Sequence, residues 1–365
     1  MLSLADAGKT ARIFSSRYLK ILAEAEELYL KGGNALQQGL SRFDQEQQNI
    51  QAAQEWSETH ATQDLEAARL CAAFPVKGPL CLSRRLKPQL LLEWAEAGLS
   101  AARRLKDRCA EATNLGNLGS IYVVTGKTRD ALALFEQSLE IARDLDSSDC
   151  HAEANALCYL GNAYLTAFGN ALKAREYYEQ WLVLARKIGD RRDESIALGN
   201  LGSVCEKLGD YERAGSYYKQ RLEIAKHIGD RKGEGDMLTN LGVLRAKSRS
   251  YEPALECFNQ ALAIARELRD DADQYDALTN IGNLYVVLGK IEQAEDTLEQ
   301  CIGIGRKRGD ALREGMGIFR MSQLLYNKGN RSEAIANAKR ALNIIEPLEA
   351  AAADYIRAQL KRWSE

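Results

Sequence analysis

Between Asp271 and Arg308 the apolar positions fall into two stripes. Ala277, Leu278, Ile281, Gly282, Tyr285 and Leu288 advance by one or three residues at a time, which places them on one face of an α-helix. Gly289 interrupts the stripe, and Ile291, Ala294, Leu298, Cys301 and Ile302 begin another. The segment reads as a helical hairpin closed by a short glycine turn. Its signature recurs: Asn-Leu-Gly ends at Gly119, Gly202 and Gly242, and Asn280-Ile281-Gly282 follows. Gly202, Gly242 and Gly282 stand 40 residues apart, and Ser322 continues the step. Self-similarity at a fixed period of this length predicts an array of small helical units, each packed only on its neighbours.

Turn glycines recur at Gly126, Gly169, Gly209, Gly289 and Gly329, as expected where a helix ends in a left-handed conformation. Between units stand Gly189-Asp190, Gly229-Asp230 and Gly309-Asp310. There the glycine can end one helix and the aspartate can cap the next. Small residues at Ala131, Ala174, Ala214, Ala254, Ala294 and Ala334 would let paired helices approach closely. Phe135, Tyr178, Tyr218, Phe258 and Leu298, four positions later, are expected to fill the seam to the next hairpin.

With these positions in place the chain resembles the tetratricopeptide repeat (TPR) family. The small-small-aromatic pattern is matched by Gly119/Ala131/Phe135, Gly161/Ala174/Tyr178, Gly202/Ala214/Tyr218 and Gly242/Ala254/Phe258. Gly282/Ala294/Leu298 and Ser322/Ala334/Ala338 follow it more loosely. The usual TPR repeat is 34 residues. The 40-residue spacing resembles the Pins-type polarity adaptors and kinesin light chains, which bind extended peptides in a concave groove. The resemblance implies an all-α, right-handed α-solenoid. Two longer stretches flank the second unit, between Ala142 and Gly161 and between Gly161 and Ala174, and read as tolerated loop length.

The first hundred residues are helical without a plain period. Ile21, Leu22, Ala25, Leu28 and Tyr29 mark one helix, and Phe43, Ile50, Ala53 and Trp56 a second. Leu65, Ala68, Cys71 and Ala72 begin a third that Pro75 and Gly78 are expected to stop, and Leu86–Leu105 reads as a degenerate half-repeat. Arg17-Tyr18-Leu19, the run from Phe43 to Ile50 and Ala53-Gln54-Glu55-Trp56 resemble the segment preceding the repeats in bacterial signal-transduction ATPases of the STAND/NB-ARC type. After Pro347 a last helix through Tyr355, Ile356, Leu360 and Trp363 would cap the array. The expected division is a helical N-terminal subdomain at 1–108, six TPR hairpins at 109–347 and a capping helix at 348–365.

Composition adds mainly exclusions. A net charge of −2 gives no electrostatic case for nucleic acid or an anionic membrane. No stretch approaches 18 consecutive apolar residues, and Met1–Asp6 lack the basic flank and apolar run of a secretory signal. Ala7-Gly8-Lys9-Thr10 looks like the end of a phosphate-binding loop, but Ser3 stands where that motif needs glycine. The eight cysteines contain no Cys-x-x-Cys pair and read as small buried hydrophobes of a cytoplasmic protein. Cys150-His151 has no second ligand pair, so no metal site is expected. No catalytic motif or cofactor site is evident, and the chain reads as a non-enzyme.

In such arrays the first helix of each hairpin lines the concave side. The residue before each Leu-Gly should face it: Asn117, Asn200, Asn240 and Asn280, with Tyr159 and Arg320 in the other units. One turn on come Asn162 and Asn283, with Ser120, Ser203, Val243 and Gln323 at the same position. A carboxamide offers a donor and an acceptor and can pair with the amides of an extended peptide. Lys207 and Lys247 lie further along, and Asp236 and Asp276 one turn back, where Pins-type adaptors carry arginine. A mixed-charge ligand is therefore expected. The reading is a protein- or peptide-binding scaffold or adaptor. The alternatives are an effector-sensing arm of a bacterial signal-transduction ATPase and a scaffold that self-assembles through its repeat ends.

Overall fold

The computed structural model describes residues 4–31, 33–145 and 151–364, all of them in helices and short links. The chain forms two compact units, Met1–Leu208 and Gly209–Glu365. The first opens with α1 (Leu4–Lys31), α2 (Gly33–His60), α3 (Leu65–Lys77), α4 (Pro79–Arg85) and α5 (Pro88–Leu105). It continues with α6 (Arg108–Val124), α7 (Thr128–Arg143), α8 (Ala152–Thr166), α9 (Ala171–Ile188) and α10 (Arg191–Lys207). The second contains α11 (Tyr211–Ile228), α12 (Arg231–Lys247), α13 (Tyr251–Glu267) and α14 (Asp271–Val287). It ends with α15 (Ile291–Arg308), α16 (Ala311–Asn327), α17 (Arg331–Ile345) and α18 (Ala350–Ser364). Within each unit consecutive helices pack against one another.

The hairpins form where local chemistry dictates. Gly126, Gly169, Gly209, Gly289 and Gly329 all adopt positive φ. The turn between α12 and α13 has no glycine, and Arg249 takes the left-handed conformation at φ 59°. Asp190, Asp230 and Asp310 cap α10, α12 and α16, each accepting hydrogen bonds from backbone N–H groups of the first turn. Gly189, Gly229 and Gly309 end the preceding helices in the left-handed region.

The bulky residue of the second helix packs differently from expectation. A methyl group added to Gly119 would lie 2.4 Å from the Phe135 ring, and one on Gly161 would lie 2.3 Å from Tyr178. The ring therefore rests on the glycine of its own hairpin, a space that only a missing Cβ provides. Phe135 also reaches the following hairpin, stacking on Tyr159 at 5.2 Å between centroids.

A further device sits at the links. Arg103 and Arg108 both bind the buried Glu111, at 3.0 and 2.8 Å. Arg186 and Arg191 bind the buried Glu194 at 2.9 and 2.8 Å. Each clamp ties the end of one helix to both the start and the first turn of the next. Burial opposes ionisation of Glu194, but the Arg186 and Arg191 hydrogen bonds outweigh it and hold the carboxyl below its usual value.

Three expectations change. Pro75 does not stop α3, which runs on to Lys77 with Gly78 as its C-cap. A proline in the last turn removes one N–H without preventing the turn. The predicted helix from Leu86 starts at Pro88, and the separate α4 precedes it. α4 has only seven residues, and the Glu26 carboxylate of α1 accepts from the N–H groups of Leu80 and Cys81 at its start. Cys109 is disulfide-bonded, against the reading of all eight cysteines as buried thiols; Cys71, Cys81, Cys205, Cys257 and Cys301 are buried and outside any disulfide, as is the half-buried Cys158. Gly8, Lys9 and Thr10 lie within α1. Ser3, Cys150 and part of the longer stretch before Gly161 lie outside the described residues. At the other end α18 buries Ile356 and Trp363, and Trp363 stacks on Tyr326 at 4.6 Å.

Candidate binding faces of the two units

In the second unit, the first helices α12 and α14 frame a cavity of about 300 Å³ whose floor is α13. Its walls carry Asp236, Asn240 and Asp276, three positions singled out by the repeat pattern, together with Lys232, Asp273 and Arg221. Gly235 keeps the wall low: a Cβ there would already touch Ile264 of α13 at 3.4 Å.

The polar groups around this cavity are only partly matched. Lys232 Nζ donates to Asp273 at 2.6 Å and to Asp270 at 3.2 Å. Burial pulls the Lys232 amine down, but the two carboxylates outweigh it and hold its pKa above the usual value. Asp236 has no ion-pair partner among the described residues, and Asp276 has only Arg313, at 3.9 Å. Loss of hydration raises both carboxyls above the usual value, opposed by Lys232 at Asp236 and by Arg313 at Asp276. The Arg221 Nε is buried without a hydrogen-bond partner. The Asn240 carboxamide likewise makes no hydrogen bond among the described residues. An incoming cation would find two under-compensated carboxylates, and a peptide amide would find a free carboxamide.

The remaining predicted positions separate. Asn283 and Arg320 line a different cavity of about 460 Å³ with Gln323, Gln359 and Trp363. There the Arg320 guanidinium donates to the Thr279 hydroxyl at 3.2 Å. Asn280 is half-buried and makes no side-chain hydrogen bond among the described residues. Lys247 is placed over the Tyr211 ring, 5.5 Å from its centroid, away from the charged cavity. Asn200 is half-buried and Lys207 exposed, both on α10 of the first unit.

Two more asparagines of the first unit are tied down. Asn117 Nδ2 donates to the Pro75 carbonyl at 2.9 Å, and Asn162 Oδ1 accepts from the Tyr178 hydroxyl at 2.6 Å. The Pro75 carbonyl is free for this because its helical partner four residues on would be Pro79, which has no N–H. Asn117 also borders a third cavity, of about 380 Å³, walled largely by prolines, leucines and Trp94 from α3, α4 and α5. Leu80 and Val124 are exposed at its edge.

Lys232, Asp273 and Arg221 were not anticipated. Lys232 and Asp273 lie one turn before Asp236 and Asp276 on the same helix faces, so the spacing carried a signal for them. Among the described residues no group of three or more His, Cys, Asp or Glu is arranged to hold a metal ion, and no helix is long and apolar enough to cross a membrane.

Comparison with known proteins agrees with this architecture. Human G-protein-signaling modulator 1 is 36% identical over 115 residues, which are 31% of this chain and 16% of that protein. The chain thus aligns with only a small part of that relative's length. A signal transduction ATPase with numerous domains from Pyrococcus horikoshii, carrying a tetratricopeptide repeat sensor, superposes with a TM-score of 0.66 at 19% identity. That likeness covers 95% of this chain and 54% of the other. BtubC from P. vanneervenii gives a TM-score of 0.55 at 23% identity, over 61% of this chain and 93% of its own. At these identities the structures share the fold. The tetratricopeptide repeat family model matches residues 109–187, 152–227, 193–267 and 233–307, more than half of the sequence, and the chain belongs to the tetratricopeptide repeat family.

Proposed function

We propose that this chain is a non-catalytic adaptor that grips an extended, mixed-charge segment of a partner protein along its first helices. Tetratricopeptide repeats generally serve as protein-binding modules. The single observation that carries the finer reading is the convergence of Asp236, Asn240 and Asp276 on one cavity of the second unit. A lysine or arginine of the partner would neutralise the two carboxylates, and its main chain would pair with the Asn240 carboxamide. Within the second unit Asn280, Asn283 and Arg320 belong to the same reading as further contacts, Asn200 is a contact of the first unit, and the division at residues 108 and 347 goes with it.

The test is capture with the intact chain, mapping of the retained segment, and calorimetry with that segment as a synthetic peptide. Asn240→Ala combined with Asp236→Asn is expected to weaken binding by more than ~1 kcal/mol, the worth of a lost hydrogen bond with a charged contact. Unaltered affinity, with helical content preserved, would sink the reading.

A second reading is a regulatory arm of a bacterial signal-transduction ATPase. It draws support from a fold likeness that extends over α1–α5 as well as the repeats. A nucleotide-binding domain in the same polypeptide, with ATP turnover changed by a ligand of this chain, would favour it. Turnover indifferent to any such ligand would exclude it.

A further inference from the structure

The apolar cavity of the first unit is built for a different occupant. We propose that it binds a neutral small molecule with a compact apolar body and one hydrogen-bonding group. Its volume, about 380 Å³, lies in the range of small-molecule pockets. Pro75, Pro79, Leu82, Leu86, Trp94 and Ile121 supply apolar walls. Proline-rich walls on helices pinned by long-range hydrogen bonds change little on binding, which lowers the ordering cost.

Charge selects the occupant. The lining holds no carboxylate, ammonium or guanidinium group, in contrast to the charged cavity of the second unit. An ionic ligand would lose hydration there without gaining a counter-ion. The polar groups are Ser83, Asn117, Ser120 and Tyr159. Asn117 gives one of its two N–H groups to Pro75, so its carbonyl and the other N–H remain to offer. Burial pushes the Tyr159 phenol up, against the hydrogen bond it shares with Ser120, so the pair offers the cavity a hydroxyl that keeps its proton. These groups match a hydroxyl or carbonyl on the ligand. A peptide main chain is matched less well, because a single partly engaged carboxamide, that of Asn117, stands at this cavity, with no second one to pair along an extended chain. The proposal concerns residues of the first unit alone and stands or falls separately from the peptide-binding reading.

The experiment compares 2-naphthol with 2-naphthoate, the same rings without and with a charge at neutral pH, by calorimetry on the intact chain. One molecule of 2-naphthol per chain is expected, bound at least tenfold more tightly than 2-naphthoate. Val124→Glu, which sets a charge at the rim, and Ser83→Trp, which fills the mouth, should each weaken it at least tenfold. Both positions are exposed, and circular dichroism checks that folding is kept. Tyr159→Phe should narrow the preference for 2-naphthol while leaving its binding detectable. Equal affinity for the two probes, absence of 2-naphthol binding, or binding indifferent to both rim variants would overturn the proposal. So would saturation of the site by an uncharged leucine-bearing peptide with no response to 2-naphthol, which would make the cavity a side-chain pocket of a protein interface.

Discussion

Asn117 and Asn240 occupy the same repeat position in the two units, yet they do different things. In the first unit the carboxamide is anchored through one N–H to the Pro75 carbonyl, and the cavity beside it is neutral and largely apolar. In the second it is free, beside carboxylates that lack full compensation. A repeat position therefore fixes where a side chain stands, while the neighbouring helix decides whether it is structural or available. The proline pair in α3 and α4 makes that decision at Asn117.

The largest expected effect concerns packing. Gly161→Ala should cost about 3 kcal/mol of stability in thermal or urea unfolding, because the new methyl meets the Tyr178 ring at 2.3 Å. Its counterpart in the second unit, Gly282→Ala, meets Leu298 at an ordinary 3.6 Å and should be neutral or slightly stabilising. Equal losses at both sites would erase the difference between the hairpins. Next, Glu194→Gln should cost about 2 kcal/mol, since two charged hydrogen bonds weaken in a buried setting. Because the folded-state pKa of Glu194 is lowered, its contribution is complete above the unfolded value of about 4.5 and disappears as pH falls through the lower folded value. The stability gap between wild type and Glu194→Gln should therefore close in acid; a gap independent of pH would refute the clamp.

The asparagines give a smaller and more diagnostic contrast. Asn117→Ala should lower stability by about 1 kcal/mol, and Asn240→Ala should leave stability alone while weakening a bound peptide by a similar amount. If both behave alike, the comparison fails. Smallest is the effect of pH on binding. Asp236 and Asp276 hold protons to higher pH than ordinary aspartates, so affinity for a lysine-bearing peptide should decline on acidification before that of surface pairs does. Affinity that declines no earlier on acidification than that of an exposed aspartate–lysine pair would remove these carboxylates from the site.

What the sequence disclosed was whatever depends on one or two residues. Glycine turns and aspartate caps are local demands of backbone geometry, and they were legible; the glycine and the aromatic were both visible, but not that the ring would rest on its own hairpin's glycine. The turn at Arg249 was not, since a left-handed arginine leaves no mark in composition. The anchors of the charged cavity were half legible: Asp236 and Asp276 came from the repeat, while Arg221 projects from a second helix whose cavity-facing side no period reveals. The distinction between Asn117 and Asn240 lay out of reach, because it depends on a carbonyl 42 residues away. The disulfide at Cys109 could not be read from spacing either.

The Glu26 contact with α4 has a consequence for the first unit. A seven-residue helix is too short to persist by its own propensity. Its opening turn is anchored by a carboxylate 54 positions upstream, so one wall of the apolar cavity is on loan from α1. Any disturbance of that opening helix, however far from the repeats, would register first as a change in what the cavity can hold.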